Sequence, residues 1–167
     1  MLEVISKKIE NFIDVTGRMV SWLTLFMVIV TFVVLVLRYG FGIGSIGMQE
    51  SIAYMHATVF LIGAAWTLQQ DAHVRVDIIY CRCSKKIRAL IDLLGSLFLL
   101  LPLMFFIIWV SFDYVQESWR VHEGSPEAGG LPGVFLLKTL IPVMAALLVL
   151  QGIANILKSL ISLRERN

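Results

Sequence analysis

Four uncharged, strongly apolar runs alternate with short charged clusters along the chain: Met19 to Leu37, Ser51 to Gln70, Leu93 to Phe112 and Thr139 to Leu157. Each holds 19 or 20 residues. At a rise of about 1.5 Å per residue, that is the length of helix needed to cross a hydrocarbon core of about 30 Å. Lipid offers no partner to an unpaired backbone N–H or C=O, so the runs are predicted to be helices. The chain reads as one membrane domain over 1–167, an all-α integral membrane protein with spans at about 19–37, 51–70, 89–112 and 134–157. Ahead of the first span, Leu2, Ile5, Ile9, Phe12 and Thr16 recur at intervals of three and four, with Glu3, Lys7, Lys8, Glu10, Asn11 and Asp14 on the other faces. This pattern predicts an amphipathic interfacial helix over 1–17, lying along the bilayer surface.

Composition agrees with that class. Hydrophobic residues make up 58% of the 167, charged residues 16%, and mean hydropathy is +0.84, a balance that a water-soluble domain of this size could not keep off its surface. The 14 basic and 12 acidic residues leave a net charge of +2 and cluster between the apolar runs. No basic stripe follows a phosphate backbone, so nucleic acid is not expected as a partner. The linkers are too short to hold a soluble catalytic module, and the chain is expected not to be an enzyme. The first apolar run is long and lacks a small-residue cleavage site near its end, so it is read as a retained helix and not a signal peptide.

Basic residues set the orientation. Lys7, Lys8, Arg18, Arg75, Arg82, Lys85, Lys86, Arg88, Lys158, Arg164 and Arg166 fall on one side, and Arg38, Arg120 and Lys138 on the other, eleven against three. Both termini are therefore expected in the cytoplasm. Trp22, Trp66 and Tyr80 fall near the inner boundary, and Tyr39, Tyr54, Trp109, Tyr114 and Trp119 near the outer one, as amphipathic rings prefer.

Candidate chemistry is sparse. No Asp, Glu, Lys or Arg interrupts the four runs, although ionisable groups at membrane depth are what ion and proton pathways require. His56, Gln151 and Asn155 are the notable polar residues within them. A lone His56 is read as a helix-to-helix hydrogen bonder, since a haem would want a second axial ligand at suitable depth and His73 and His122 both fall in loops. Cys81 and Cys83 form a C-x-C pair near His73 but lack the remaining ligands of a zinc site. Neither a metal nor a cofactor is expected. Arg38 ends the first predicted helix and Glu50 opens the second, each where its charge complements the helix dipole. The glycine-rich stretch between them allows either two independent end-caps or a pair closing the outer edge. Gly63, Ala64 and Ala65, Gly95 and Ser96, and Ala145, Ala146 and Gly152 mark faces where another helix could approach closely. Pro102 frees the carbonyl of Phe98 and predicts a kink in mid-span.

Several of these residues carry a resemblance. The stretch from Arg38-Tyr39-Gly40-Phe41 to Glu50, then Gly63-Ala64-Ala65-Trp66-Thr67-Leu68 and His73-Val74-Arg75-Val76-Asp77, with the later Leu131-Pro132 and Ile141-Pro142, resembles the small membrane (DctQ-type) subunit of tripartite ATP-independent periplasmic (TRAP) transporters. It departs from many members in placing Gly47-Met48-Gln49 where an aromatic residue precedes the glutamate. The resemblance implies a non-catalytic scaffold subunit of a sodium-coupled secondary transporter in the bacterial inner membrane. Its implied partners are a large membrane subunit and a periplasmic binding protein that delivers an organic acid. It also implies structural or interface roles for Arg38, Glu50, Gly63, His73 and Asp77. Two other readings remain open from the residues alone. A self-contained four-helix multidrug transporter would need a glutamate in the first span, and a haem-carrying respiratory anchor would need paired axial ligands.

Overall fold

The computed structural model describes residues 2–72, 80 and 83–164. Helix α1 runs unbroken over Leu2–Gly40 and α2 over Ile46–Gln69. A third long helix is built from α3 (Lys85–Gly95), a π-helical turn (Ser96–Leu100) and α4 (Leu101–Arg120); α5 (Val134–Arg164) closes the chain. Among the described residues there is no strand, and four helices are long and apolar enough to cross a membrane: Leu2–Gly40, Ile46–Gln69, Lys85–Arg120 and Val134–Arg164.

The separate interfacial helix expected over 1–17 is not a separate element. With no proline or glycine before Gly17 to break it, the segment is the first part of α1, which at about 1.5 Å per residue is roughly 58 Å long. The face packed on the bundle is a different one from the apolar stripe expected to lie on the bilayer. Ser6, Ile13 and Gly17 are buried, whereas Leu2, Ile5 and Phe12 are exposed. Tertiary partners select the packed face: the Ser6 hydroxyl donates to the Ala154 carbonyl of α5 at 3.4 Å, and Ile13 sits in the common core with Ala65, Met104 and Ala145.

The α1–α2 turn is tighter than the run boundaries suggest. Gly42 takes φ +69°, the left-handed conformation on which helices commonly end, and the Ile43 N–H folds back to the Leu37 carbonyl at 2.9 Å. Ser45 then caps α2, its side chain accepting from the Met48 N–H. Helix α2 thus starts five residues before the uncharged run, and Glu50 lies in its second turn, not at its opening.

The third helix is irregular at Pro102. Its missing N–H falls just after the π-helical turn, where the Leu101 N–H bonds the Ser96 carbonyl five residues back. A wide turn of this kind is how a helix absorbs a local misfit without ending. Helix α5 is the hub, packing against α1, α2, α3 and α4. Its inward positions are largely small or polar: Ala145, Gln151, Gly152, Ala154 and Ser159. A Cβ built on Gly152 would lie 2.9 Å from Leu100 Cδ2. Close backbone approach is what lets helices associate where lipid is as apolar as their own side chains. Correspondingly, large apolar residues such as Trp22, Phe26, Phe32, Phe98 and Trp109 face outward.

Candidate functional site

At the end of the bundle remote from the termini, the connection between α4 and α5 (121–133) folds back onto α2 and is clasped there by one carboxylate. Glu50 Oε2 accepts the Leu131 N–H at 2.6 Å, and Oε1 accepts the Ser125 hydroxyl. The loop is also tied to itself, with the Ser125 N–H donating to the Leu131 carbonyl at 3.0 Å and the Gly130 N–H to the Glu127 carbonyl at 3.0 Å. Gly129 takes φ +83°, and a Cβ on Gly47 would lie 3.1 Å from the Gly129 carbonyl oxygen. A side chain at position 47 would therefore hold the loop away from α2. The Gly47-Met48-Gln49 stretch provides room for the clasp.

A second carboxylate holds the base of the same loop. Glu123 Oε2 accepts both the Ser118 hydroxyl at 2.7 Å and the Lys138 ammonium at 2.5 Å, and the ammonium lies 4.0 Å from the centre of the Tyr114 ring. The Lys138 hydrogen bond, followed by that from Ser118, holds the Glu123 carboxyl below the usual carboxylate range, against a smaller opposing effect of burial. Trp119 donates to Thr139 Oγ1 at 2.8 Å and packs edge-on against Phe135. The result is a fixed polar platform.

Arg38 takes no part in it. Its side chain is exposed and forms no ion pair among the described residues, so of the two arrangements open from spacing, the end-cap describes Arg38. Glu50 instead binds a loop 75 to 81 residues away in sequence. Gly63 contacts nothing within 4 Å of its would-be Cβ and lines an apolar cavity of about 460 Å³ between α1 and α2. The close α1–α2 approach occurs at Gly17, against Trp66, a contact that sequence inspection missed although Gly17 is the only glycine in α1 before its last residue. His73, Asp77 and Cys81 lie outside the described residues. His56 faces outward on α2, stacked on Phe60 with ring centres 6.4 Å apart, and makes no hydrogen bond to a described residue.

The end carrying both termini is tied by a different polar network. Trp66 Nε1 donates to Asp14 at 3.1 Å, Gln69 Nε2 donates to the Glu10 carbonyl at 2.8 Å, and Glu10 pairs with Lys158. Gln151, fully buried in α5, donates to Asn155 one turn on at 2.9 Å. Among the described residues, no three His, Cys, Asp or Glu side chains gather into a metal-binding group.

These features define a multi-pass membrane protein whose polar side chains are spent on tying its own helices and one loop together. The chain belongs to the DctQ component family of the tripartite ATP-independent periplasmic transporters, whose description matches residues 27–161. The matched region begins inside α1, ends inside α5 and includes the whole clasped loop. No curated protein and no solved structure matches the chain. The protein is accordingly a membrane component of a transport system.

Proposed function

We propose that the chain is the non-catalytic scaffold subunit of a sodium-coupled secondary transporter, widening the stationary part of a larger membrane subunit that takes up an organic acid delivered by a periplasmic binding protein. Family membership supports the transport role. The observation that carries the scaffold reading is the stripe His56, Phe60, Gly63 on α2. These residues share one helix face at spacings of four and three; His56 and Phe60 are exposed, and Gly63 is open. A histidine pointing outward at membrane depth is costly unless a neighbouring protein receives it, and a glycine about two turns further along admits a close-packed helix. The clasped platform at the end remote from the termini offers a fixed polar surface for the binding protein to meet.

Gly63→Leu tests the reading, because nothing in the chain itself resists the added side chain. The variant is expected to accumulate in the membrane at the wild-type level, yet to lose co-purification with the large subunit and substrate uptake. Unchanged co-purification would remove this face from consideration.

The eleven-to-three basic asymmetry supports a placement in the bacterial inner membrane with both termini in the cytoplasm. Reporters fused after Asn167 are expected to read cytoplasmic, and one inserted within Gly124 to Gly130 periplasmic. A periplasmic reading at Asn167 overturns the orientation.

A further inference from the structure

The buried residues of the third spanning helix fall into two sets that are out of step with each other. They are Ala89 in α3, Ser96 at the start of the π-helical turn, and Met104, Ser111 and Ser118 in α4, at successive intervals of seven, eight, seven and seven residues. An α-helix turns about 100° per residue, so seven residues bring a side chain back to within about 20° of its starting face, whereas eight leave it about 80° away. One residue too many therefore stands between Ser96 and Met104. That interval contains the π-helical turn Ser96–Leu100, in which the Leu101 N–H bonds the Ser96 carbonyl five residues back.

The half-buried residues beside this seam shift at the same place. Asp92 and Leu93 stand three and four residues after Ala89, and Ile107 and Ile108 three and four after Met104. After Ser96 the third residue is Leu99, which is 73% exposed, and it is Leu100 and Leu101, four and five residues on, that turn inward. Both meet Gly152 of α5, whose would-be Cβ lies 2.9 Å from Leu100 Cδ2 and 3.3 Å from Leu101 Cδ2. Pro102 accounts for a bend but not for this displacement. A proline removes one N–H and crowds the carbonyl four residues back, and it leaves the number of residues between like faces unchanged.

We propose that the third spanning helix carries one surplus residue within 97–101, and that the π-helical turn is a register device that carries it on the exposed side so that α3 and α4 both present their buried residues to α5. Continued in the phase of α3, a regular helix would turn Leu103, Val110 and Glu117 inward in place of Met104, Ser111 and Ser118. All three are exposed, and Glu117 is a carboxylate paired with Arg120 at 2.6 Å on the surface. Two of the residues that now face inward are serines, small enough for α4 to lie close to its neighbours. The device also reaches the loop platform. Only in the shifted phase does the Ser118 hydroxyl donate to Glu123 at 2.7 Å and the adjacent Trp119 to Thr139 at 2.8 Å, so a wide turn near the middle of the helix sets the base of the loop at its end. This inference concerns the chain's own packing and does not depend on the transport reading.

Deleting single residues tests it in the full chain. The reporter is Ser118→Cys, at a position only 2% exposed, in a chain whose Cys81 and Cys83 are changed to serine; its labelling by a water-soluble maleimide in detergent reads the register of α4, and the unfolding midpoint reads the packing. Deletion of Leu99 together with Pro102→Leu, which spares the straightened helix a proline, restores a seven-residue spacing from Ala89 to the end of α4. That chain is expected to keep the reporter protected and the midpoint unshifted. Deletion of Phe112, equally exposed but within α4, is expected to abolish the protection and lower the midpoint, because it turns Ser118 off the seam. Pro102→Leu without a deletion should leave the reporter protected, since the surplus residue remains. Loss of protection in Pro102→Leu alone would assign the wide turn to the proline and overturn the proposal. So would a Leu99-deleted chain that is labelled or fails to fold, or a Phe112-deleted chain that matches the parent.

Discussion

A Gly17→Leu chain is expected to lose the packing of its first two helices and to disappear from the membrane fraction or unfold far below the wild type. Glycine is normally a poor helix residue, and replacing it with alanine in a helix favours the helix by about 1 kcal/mol. Here the opposite sign is expected even for alanine. A Cβ at position 17 would lie 2.6 Å from the Trp66 Cβ and Cδ2, inside any normal contact distance. The Trp66 Cβ is fixed to the α2 backbone, and its ring is held by the hydrogen bond from Nε1 to Asp14, so the helices must separate. Overpacking of this kind costs about 1–3 kcal/mol for one or two added carbons, which outweighs the propensity gain. Leucine adds more atoms on the same line. In a Trp66→Gly background, which removes the Cβ as well as the ring, the Gly17→Ala penalty should largely vanish, because the two changes act on one contact. Unfolding midpoints of the four chains in detergent measure this; additive losses would show that Gly17 matters for some other reason.

Glu50→Ala is expected to release the α4–α5 loop while leaving the helices in place. The substitution strands the Leu131 N–H and the Ser125 hydroxyl, and Glu50→Gln can satisfy them only incompletely, since one of its two terminal atoms is a donor. Hydrogen exchange at Leu131 and protease cleavage within 123–130 should rise strongly in the alanine variant and less in the glutamine variant. Arg38→Ala should leave both unchanged, and exchanging the charges of Arg38 and Glu50 should recover nothing. Acid should act in the same direction through Glu123. Its carboxyl is held below the ordinary range by Lys138 and Ser118, so its contribution is complete above the unfolded value, about pH 4.3. It is lost as pH falls through the lowered folded value. A loop that stays protected in Glu50→Ala would mean that the Glu123–Lys138 pair and the Trp119–Phe135 contact suffice to hold it.

Hydrophobic run length was enough to place four helices, because crossing about 30 Å of hydrocarbon imposes one length and one backbone solution on any sequence. Pro102 was enough to locate an irregularity in the third, and the ordered small motifs from Arg38 to Asp77 were enough to suggest the family that the match over 27–161 establishes. These are local properties, each written in a few neighbouring residues. The partners of Glu50 were not legible, since Ser125 and Leu131 lie 75 and 81 residues away and nothing in their spacing distinguishes them from any other polar loop positions. Nor was the burial of Ser6 and Ile13 against the other helices. Periodicity shows that a helix has two faces, but which face turns inward depends on where α2 and α5 happen to stand. Gly17 and Gly63 illustrate the same limit, for both are small residues in a membrane helix, and only the path of Trp66 decides that one is a closed contact and the other an open groove. Helix formation answers to the solvent along a single segment, whereas contact between segments depends on the relative placement of whole helices, which no single segment encodes.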